Sequence, residues 1–403
     1  MEQVLYSLPD GWEWQELADV VVKTENLNPL KHADQLWTYI DISSVDRDRF
    51  AVTDPKEILG KDAPSRAKKH VQLNDVIFAT TRPNLKNIAL VRDEYSSPVA
   101  STGFCILRAN KKVLPAYLFY FVTTDFVQAQ IEPYVGGASY PAITDGNLKK
   151  APIPIPSIEE QKRIVEKLDA LLNRIDTAIE HLQESGTLAD ALSKNGLSEI
   201  FESLKDRYEV VPLSSVVKIN SGIALPKLFK NGFSDGDIPF FKVAQMNNHH
   251  ETMVAPEITF NETVAKEHKI KLFPKGSTLI PKRGGAILTN KKRMLLEDAS
   301  YDSNIMGLKA DESKISDEYL FAFMRTIDLA NFVDASTIPQ VNNKHIDQMQ
   351  IPLASIEEQA DVVSRVNLLV KKVETMNSEI QRQLDDLQAL KSSILDSAFK
   401  GEL

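Results

Sequence analysis

The stretch IPSIEEQKRIVEKLDALL, residues 155–172, has a near copy in LASIEEQADVVSRVNLLV, residues 353–370. In each copy a serine that suits a helix N-cap, Ser157 or Ser355, stands three residues before a glutamate. This spacing is that of a capping box, and apolar residues at helical spacing follow it. The sequence therefore predicts two long helices that begin at equivalent points of a duplicated chain.

The duplication extends upstream of both helices and keeps the same order. PAITDGNLKKAPIP (141–154) aligns without a gap with PQVNNKHIDQMQIP (339–352). LNDVIFATTR (73–82) aligns with PKGSTLIPKR (274–283). A repeat of this length is too long for a solenoid unit, so it predicts a duplicated domain with its following helix.

Each half combines strand and helix patterns. Short apolar runs bounded by turn residues predict strands at Trp37–Ile42, Val76–Thr80, Phe104–Leu107, Ile238–Val243, Thr278–Pro281 and Ile305–Leu308. Helical apolar spacing predicts helices at Tyr117–Gln130 and Tyr319–Phe332. The fold class is therefore α+β, with two similar domains that are each followed by a helical segment. The predicted boundaries are 1–155 and 208–353 for the domains, and 156–207 and 354–403 for the helical segments.

The two helical segments carry a narrow apolar seam with steps of three and four residues, as in a coiled coil. The simplest partner for each seam is its duplicate, and the alternative is that each helix packs on its own domain. A parallel pair would require the short link near 205–213 to run back along the whole helix, so an antiparallel coiled coil is predicted. Gly186 and Gly196 predict a break or hinge in the first helix.

Composition excludes several classes of protein. Apolar content of 43% and charged content of 26% are those of a globular chain, and no apolar run approaches the ~20 residues of a membrane span. The only cysteine, Cys105, excludes an internal disulfide and fits a reducing cytoplasm, and its apolar neighbours predict a buried residue. The sequence lacks a phosphate-binding P-loop, a dinucleotide fingerprint, a nucleophile elbow and zinc-ligand spacings. We therefore expect neither catalytic residues nor a bound metal or cofactor.

The formal net charge is −9, yet basic residues concentrate at one place in each half. Residues 61–92 carry seven basic and two acidic groups, and residues 266–293 carry nine and one. Such patches are typical of phosphate-binding surfaces, although a solvated basic face is the alternative for either patch alone. Their recurrence at equivalent positions favours DNA as the partner.

Loops rich in hydrogen-bonding residues lie inside or near each patch. Arginine and asparagine can pair bidentately with guanine and adenine, whereas lysine more often contacts phosphate. A second loop in each half, residues 136–144 and 336–344, precedes the long helix and is predicted to approach the same groove. The candidate DNA-binding residues are Lys68, Lys69, Thr80, Thr81, Arg82, Asn84, Lys86, Ser139 and Tyr140 in the first half, and Lys282, Arg283, Asn290, Lys291, Lys292, Gln340, Asn342, Asn343 and Lys344 in the second.

The chain resembles the specificity subunits of type I restriction-modification enzymes. The resemblance rests on the two Ser-Ile-Glu-Glu-Gln helix starts, on YIDISSVDR at residues 39–47 and on SSILDSAFKGEL at residues 392–403. It implies two target-recognition domains that each read half of a split double-stranded DNA site. It also implies two methyltransferase subunits that bring S-adenosylmethionine and methylate adenine, and motor–nuclease subunits that use ATP and magnesium.

Together these features suggest a DNA-recognition subunit in which the paired helices act as a ruler. The gap between the two half-sites would then be about one DNA turn, ~10 base pairs centre to centre, and cutting four residues from one helix, ~6 Å, would narrow it. Two alternatives stay open: a stand-alone methyltransferase or nuclease, and a structural protein that uses the coiled coil to dimerise. Catalysis by the isolated chain would favour the first, and equal binding to specific and random DNA would favour the second.

Overall fold

The structure is a computed structural model that describes residues 5–137, 139–229, 232–333 and 338–403. Residue 138 and residues 336–337, which belong to the two predicted second loops, lie outside the described residues. The chain divides into two compact units. Unit 1 comprises residues 1–182 and 381–403, and unit 2 comprises residues 183–380.

The first half of the chain alternates short strands and helices before one long helix. Its elements are β1 (Glu13–Glu16), α1 (Leu17–Val20), β2 (Val21–Val22), β3 (Leu36–Ile40), β4 (Val45–Asp46), β5 (Ala51–Val52), β6 (Lys56–Leu59), β7 (Ala67–His70), β8 (Val76–Ala79), β9 (Ile88–Leu90), β10 (Pro98–Ser101), β11 (Phe104–Ala109), α2 (Pro115–Val122), α3 (Asp125–Ile131), α4 (Asp145–Leu148), β12 (Pro152–Ile155) and α5 (Ile158–Lys205).

The second half follows a similar order. Its elements are β13 (Val210–Pro212), β14 (Val217–Ser221), β15 (Phe233–Asp235), β16 (Ile238–Phe241), β17 (Ile258–Phe260), α6 (Glu262–Glu267), β18 (Thr278–Pro281), β19 (Arg293–Met294), β20 (Ser300–Tyr301), β21 (Ile305–Ala310), α7 (Asp317–Thr326), α8 (Asn343–Gln348), β22 (Gln350–Pro352) and α9 (Ile356–Lys400).

The sheets of the two units have matching strand orders apart from one edge strand. In unit 1, β2-β11-β8-β9 form one sheet, and in unit 2, β14-β21-β18-β19 form its counterpart. In the second sheet three strands correspond, β6-β3-β10 in unit 1 and β17-β16-β20 in unit 2. The fourth strand differs, because β7 pairs with β10 whereas β15 pairs with β17 at the opposite edge. The pairs β1-β12 and β13-β22 also correspond. The α+β duplication is thus confirmed, and every predicted strand is present with ends that agree to within about two residues.

Two predicted helices are shorter than expected. The segment predicted at Tyr117–Gln130 is split into α2 and α3, because the hydroxyl of Thr124 accepts a hydrogen bond from Val127 N and starts a new helix. The segment predicted at Tyr319–Phe332 ends as an α-helix at Thr326, and a 3-10 turn follows at Leu329–Phe332. Apolar spacing continues through both interruptions, so it did not reveal them.

The repeated Ser-Ile-Glu-Glu-Gln motif joins each long helix to its own domain through hydrogen bonds. Ser157 and Ser355 accept hydrogen bonds from the backbone N–H three residues on, at 3.2 and 3.3 Å, which confirms both N-caps. The buried Gln161 accepts from Leu114 N at 2.8 Å and donates to Lys112 O and Pro156 O.

Gln359 makes the same contacts in unit 2. It accepts from Ser316 N at 2.9 Å and donates to Lys314 O and Ala354 O. The hydroxyls of Tyr117 and Tyr319 donate to Pro154 O and Pro352 O. Each long helix is therefore tied to its own domain by buried polar contacts that both halves share.

The prediction of a break at Gly186 and Gly196 is wrong, because α5 is continuous from Ile158 to Lys205. A Cβ atom on Gly196 would lie only 2.9 Å from Leu369 Cδ2, and one on Gly186 would lie 4.0 Å from Ile380 Cγ2. Glycine at position 196 allows α9 to approach closely. The packing offsets the ~1 kcal/mol that glycine costs within a helix.

The long helices run antiparallel wherever they meet within a unit. In unit 1, Lys391 pairs with Asp176 at 2.6 Å, and Arg163 donates to Leu403 O at 2.8 Å. In unit 2, Asn377 donates to Asp190 at 2.8 Å, and Gly196 faces Leu369. Residue numbers rise on one helix as they fall on the other, which confirms the antiparallel coiled coil.

One aromatic residue from the end of each long helix completes a core. In unit 1, Phe399 contacts the rings of Tyr117 and Phe121 with centroids 5.0 and 5.1 Å apart. In unit 2, Phe201 contacts Tyr319 and Phe323 at 5.4 and 5.5 Å. Both phenylalanines are buried within the main cluster of their unit. The sequence SAFKGEL, noted above only for its resemblance, thus places Phe399 in the core of unit 1.

Candidate nucleic-acid interface

Two loops of unit 1 are joined by backbone hydrogen bonds. The first follows β8 and the second precedes α4. Arg82 N donates to Pro141 O at 2.6 Å and Ile143 N donates to Thr80 O at 2.9 Å, while Thr81 and Ala142 form a β-bridge. The two loops therefore lie side by side in this unit, and their approach to one DNA groove stays a prediction.

Unit 2 repeats this arrangement with different residues. Gly284 N donates to Pro339 O at 2.9 Å, Val341 N donates to Lys282 O at 3.0 Å, and Arg283 bridges Gln340. The described part of the second loop thus lies beside the first loop. The two units present the same backbone framework at the same place in the fold.

The shared hydrogen bonds correct the alignment of the first loops by one residue. Val76 pairs with Leu107 and Thr278 pairs with Leu308 at equivalent points of the two sheets. Arg82 consequently matches Gly284, and Arg283 matches Thr81. The backbone agrees, because Arg82 and Gly284 both have positive φ, 50° and 77°. Arg82 and Arg283, which the sequence alignment pairs, therefore occupy adjacent positions and not equivalent ones. The alignment matches residue types and takes no account of strand register.

Several candidate residues of unit 1 lie exposed around the loop pair. The guanidinium carbon of Arg82 lies 5.5 Å from the centroid of the Tyr140 ring. The Tyr140 side chain is 78% exposed, which is exceptional for a ring of this size. The remaining exposed candidates are Lys68, Thr81, Asn84 and Ser139.

Other candidates in unit 1 are engaged within the fold. Thr80 is buried, and its hydroxyl donates to Gly103 O at 3.0 Å. Lys69 pairs with Asp145 at 2.7 Å. Lys86 pairs with Asp125 at 2.6 Å and also donates to a backbone carbonyl. These contacts hold the loops in place and compensate part of the basic charge.

The candidates of unit 2 divide in the same way. Arg283, Lys291, Asn343 and Lys344 are exposed, and Gln340 is half-buried. Lys282 is also half-buried and donates to Ser221 Oγ at 3.0 Å. Asn342 caps α8 by accepting from Lys344 N at 2.9 Å.

Lys292 and Asn290 form a buried polar contact in unit 2. The Lys292 ammonium donates to Asn290 Oδ1 at 2.7 Å and to Ile327 O, and Asn290 Oδ1 also accepts from Leu329 N at 2.9 Å. Burial lowers the pKa of Lys292 to about 8. A lysine in this position supports the loop from within, and its charge is costly to bury.

Sequence reasoning missed the turn between β10 and β11. A Cβ atom on Gly103 would lie 3.7 Å from Thr81 Oγ1 and 3.6 Å from Ser101 Oγ. The equivalent turn of unit 2 contains Asn304, whose carbonyl accepts from Lys282 N at 2.7 Å. These residues carry no charge pattern, so only the strand pairing brings them to the loops.

Three further features concern the cysteine, possible metal ligands and possible membrane-spanning helices. Cys105 is buried as predicted, and burial raises the pKa of its thiol to about 12. Across the part of the chain that the structure describes, no cluster of three histidine, cysteine or carboxylate side chains is placed to hold a metal ion. Among the described helices, none is both long enough and apolar enough to cross a membrane.

Comparison with known proteins identifies the family. The family model for the type I restriction modification DNA specificity domain matches residues 9–185 and again residues 205–385. The chain is 23% identical over 434 residues to the StySPI specificity subunit of Salmonella potsdam, with 98% of this chain and 90% of that protein covered. It is 22% identical, with the same coverage, to the EcoKI specificity subunit of Escherichia coli (strain K12).

Solved structures agree with the sequence relatives. A structure described as the basis of complex assembly and conformational transition of the type I R-M system contains a chain that is 30% identical, with a TM-score of 0.85. The match covers 99% of this chain and all of that one. The HsdS subunit from Thermoanaerobacter tengcongensis is also 30% identical, with a TM-score of 0.60 and both chains covered completely. Because the family model matches both halves of the sequence, the chain belongs to the type I restriction-modification specificity subunits, which are non-catalytic DNA-recognition subunits with two target-recognition domains.

Proposed function

We propose that the chain reads a split DNA site, with domain 1 (residues 1–155) on one half and domain 2 (residues 208–353) on the other. The observation that carries this proposal is the duplicated loop pair. Both units use the same backbone hydrogen bonds to join two loops, yet they expose different side chains there. A common framework with different exposed residues suits two modules that read different bases.

The exposed and half-buried residues on and beside the loop pair are the proposed DNA contacts. Arg82, Asn84 and Tyr140 in domain 1 and Arg283, Gln340 and Asn343 in domain 2 would face bases, while Lys68, Lys291 and Lys344 would face phosphates. Lys69, Lys86, Asn290 and Lys292 would orient the loops, because their polar atoms already bind within the domain.

The helical segments, residues 156–207 and 354–403, would hold the two modules apart and dock other subunits. Each segment carries more acidic than basic residues, which disfavours contact with DNA. We propose that two methyltransferase subunits bind there and supply S-adenosylmethionine, and that motor–nuclease subunits with ATP and magnesium join them in the cytoplasm. The names of the relatives support an assembly of this kind.

Shortening both helices together tests the spacing role. Removing residues 186–192 from α5 and 374–380 from α9 deletes facing segments, since Asp190 contacts Asn377. Seven residues are two helical turns, so the seam keeps its phase and each helix shortens by ~10 Å. The gap between half-sites in methylated genomic DNA should shrink by about three base pairs.

The control keeps the length and changes the same segments. Thr187→Ala and Thr375→Ala alter exposed residues of α5 and α9, and the gap should stay as in the wild type. An unchanged gap in the shortened variant, with methylation still active, would reject the spacing role while leaving DNA recognition intact.

A further inference from the structure

We propose that Tyr140 is a positioning residue that holds Arg82 ready to read one guanine in the half-site of domain 1. The inference rests on the proposed function and adds the base and the pair of residues that select it. The same contact does not recur in domain 2, where Gly284 and Ile338 occupy the matching positions.

The backbone of Arg82 is the first observation. Its φ of 50° lies in the left-handed region, which residues other than glycine adopt rarely. The equivalent residue of the other domain is Gly284, with a φ of 77°. An arginine at a position that suits glycine points to a use for its side chain, since unfavourable backbone conformations cluster at functional sites.

The loop of Tyr140 is the second observation. Gly136 and Ala142 exchange two backbone hydrogen bonds, 2.8 and 2.9 Å long, which close the loop at its base. Gly137 has a φ of 94°, and a Cβ atom there would lie 2.7 Å from Tyr140 O, so only glycine fits. The described residues at the base of the loop and the Tyr140 backbone are therefore held in place, although the Tyr140 ring itself is mostly exposed.

The geometry of the two side chains is the third observation. The guanidinium carbon of Arg82 lies 5.5 Å from the centre of the Tyr140 ring, within the range of a cation–π interaction. Within the described residues, no carboxylate forms an ion pair with Arg82. Lys69 and Lys86 in the same patch do form ion pairs. The arginine donors are therefore restrained by the ring and still available to a ligand.

The chemistry of the donors selects the base. A guanidinium presents two parallel N–H groups, and guanine places two acceptors, O6 and N7, side by side in the major groove. Adenine replaces one of these acceptors by a donor, so the same fork cannot pair with it. A restrained arginine at the tip of a loop thus favours guanine over the other bases.

The test uses the full chain assembled with its methyltransferase subunits and a library of duplexes randomised in both half-sites. Wild type should select a guanine at one position of one half-site. Arg82→Lys keeps the charge but loses the fork, so the preference for guanine at that position should fall by about ten- to a hundredfold. Tyr140→Ala should weaken the preference at the same position, and Tyr140→Phe should retain it.

The double variant separates positioning from independent reading. Arg82→Lys combined with Tyr140→Ala should select bases no less strongly than Arg82→Lys alone, because the ring acts through the arginine. Arg283→Lys is the matched control, and it should alter the other half-site only. Thermal unfolding of each variant checks that the domain is folded.

Three outcomes would overturn the inference alone, and a fourth would overturn the proposed function on which it rests. If Arg82→Lys weakened DNA binding equally on all sequences, Arg82 would contact phosphate. Effects of Arg82→Lys and Tyr140→Ala at different positions would mean that Tyr140 reads DNA by itself. Selection of no sequence by the wild-type complex would overturn the proposed function, and a sequence preference that all variants share would overturn only this inference.

Discussion

The loop pairs of the two domains share their backbone contacts and differ in what they expose. Domain 1 places Arg82 and Tyr140 where domain 2 has Gly284 and Ile338, on matching hydrogen bonds. The hydrogen bonds are needed for folding, because buried backbone groups must be paired. Exposed side chains at the loop tips are free of that requirement, so duplicated domains can keep one fold and diverge in recognition.

A second difference lies inside the domains, beside the loops. The strand register matches Ile88 and Ala89 of β9 with Lys292 and Arg293 of unit 2. All four are buried. Domain 2 therefore buries two cationic side chains at positions where domain 1 buries apolar ones. Arg293 donates to the backbone carbonyls of Lys292 and Asn248 at 2.7 Å, whereas Lys292 donates to Asn290 Oδ1 and to Ile327 O.

The largest expected effect concerns the shared framework. Phe399→Ala should destabilise unit 1 and Phe201→Ala should destabilise unit 2, each by about 3–5 kcal/mol, because a buried aromatic ring leaves a cavity. Hydrogen exchange should show lost protection in α2 for the first variant and in α7 for the second. Leu390→Ala, at a half-exposed position, is the control. Loss of protection in the same unit for both phenylalanine variants would contradict the two-core description.

The next effect sharpens the contrast between Ile88 and Lys292. The pKa of Lys292 falls from 10.5 to about 8, so between these values the native chain has released a proton that the unfolded chain still holds. The free energy of unfolding should therefore rise with pH across this window, by up to about 3 kcal/mol.

The variant Lys292→Ile, which copies domain 1, should lack this contribution. Denaturant unfolding between pH 7 and 10.5 measures the difference from wild type. The exposed neighbour Lys291→Ile should keep the wild-type dependence. Parallel pH curves for Lys292→Ile and wild type would show that the ammonium is not held as the structure places it.

A smaller effect tests whether the repeated motif serves both domains equally. Gln161→Leu and Gln359→Leu each leave a backbone N–H, on Leu114 or Ser316, without its partner. Each should cost about 1–3 kcal/mol, the usual penalty for an unpaired buried polar group. Lys162→Leu and Ala360→Leu change exposed neighbours and should stay within about 0.5 kcal/mol of wild type in thermal unfolding. A cost in one copy only would break the equivalence.

The smallest effects on stability are expected from substitutions of the loop residues that distinguish the domains. Arg82→Gly relieves a left-handed backbone and should raise the free energy of unfolding by about 0.5–1 kcal/mol. Gly284→Ala should lower it by about 1 kcal/mol through the backbone alone, since an added Cβ would meet nothing within 4 Å. Denaturant unfolding of both variants gives the comparison, and a loss of stability in Arg82→Gly would show that the arginine stabilises its loop.

Much of the fold followed from residue patterns. The two N-caps, the strands and the long helices were predicted because capping residues, apolar runs and heptad spacing act locally. The antiparallel pairing was predicted from the short link near residues 205–213. The candidate site was predicted less well. The exposed residues Arg82 and Tyr140 were predicted, whereas the buried Lys292 was predicted to be a surface residue. The charge of a residue in the sequence does not show whether its side chain is buried.

The sequence by itself determined the duplication, the start of each long helix and the place of the loops, because these depend on short-range order along the chain. Tertiary structure alone decided that Gly196 lies against Leu369, that Phe399 fills the core of unit 1 and that Arg82 matches Gly284. Each of these depends on contacts between residues far apart in sequence. The match of Arg82 with Gly284 also depends on strand register, and a sequence alignment does not detect a register shift of one residue.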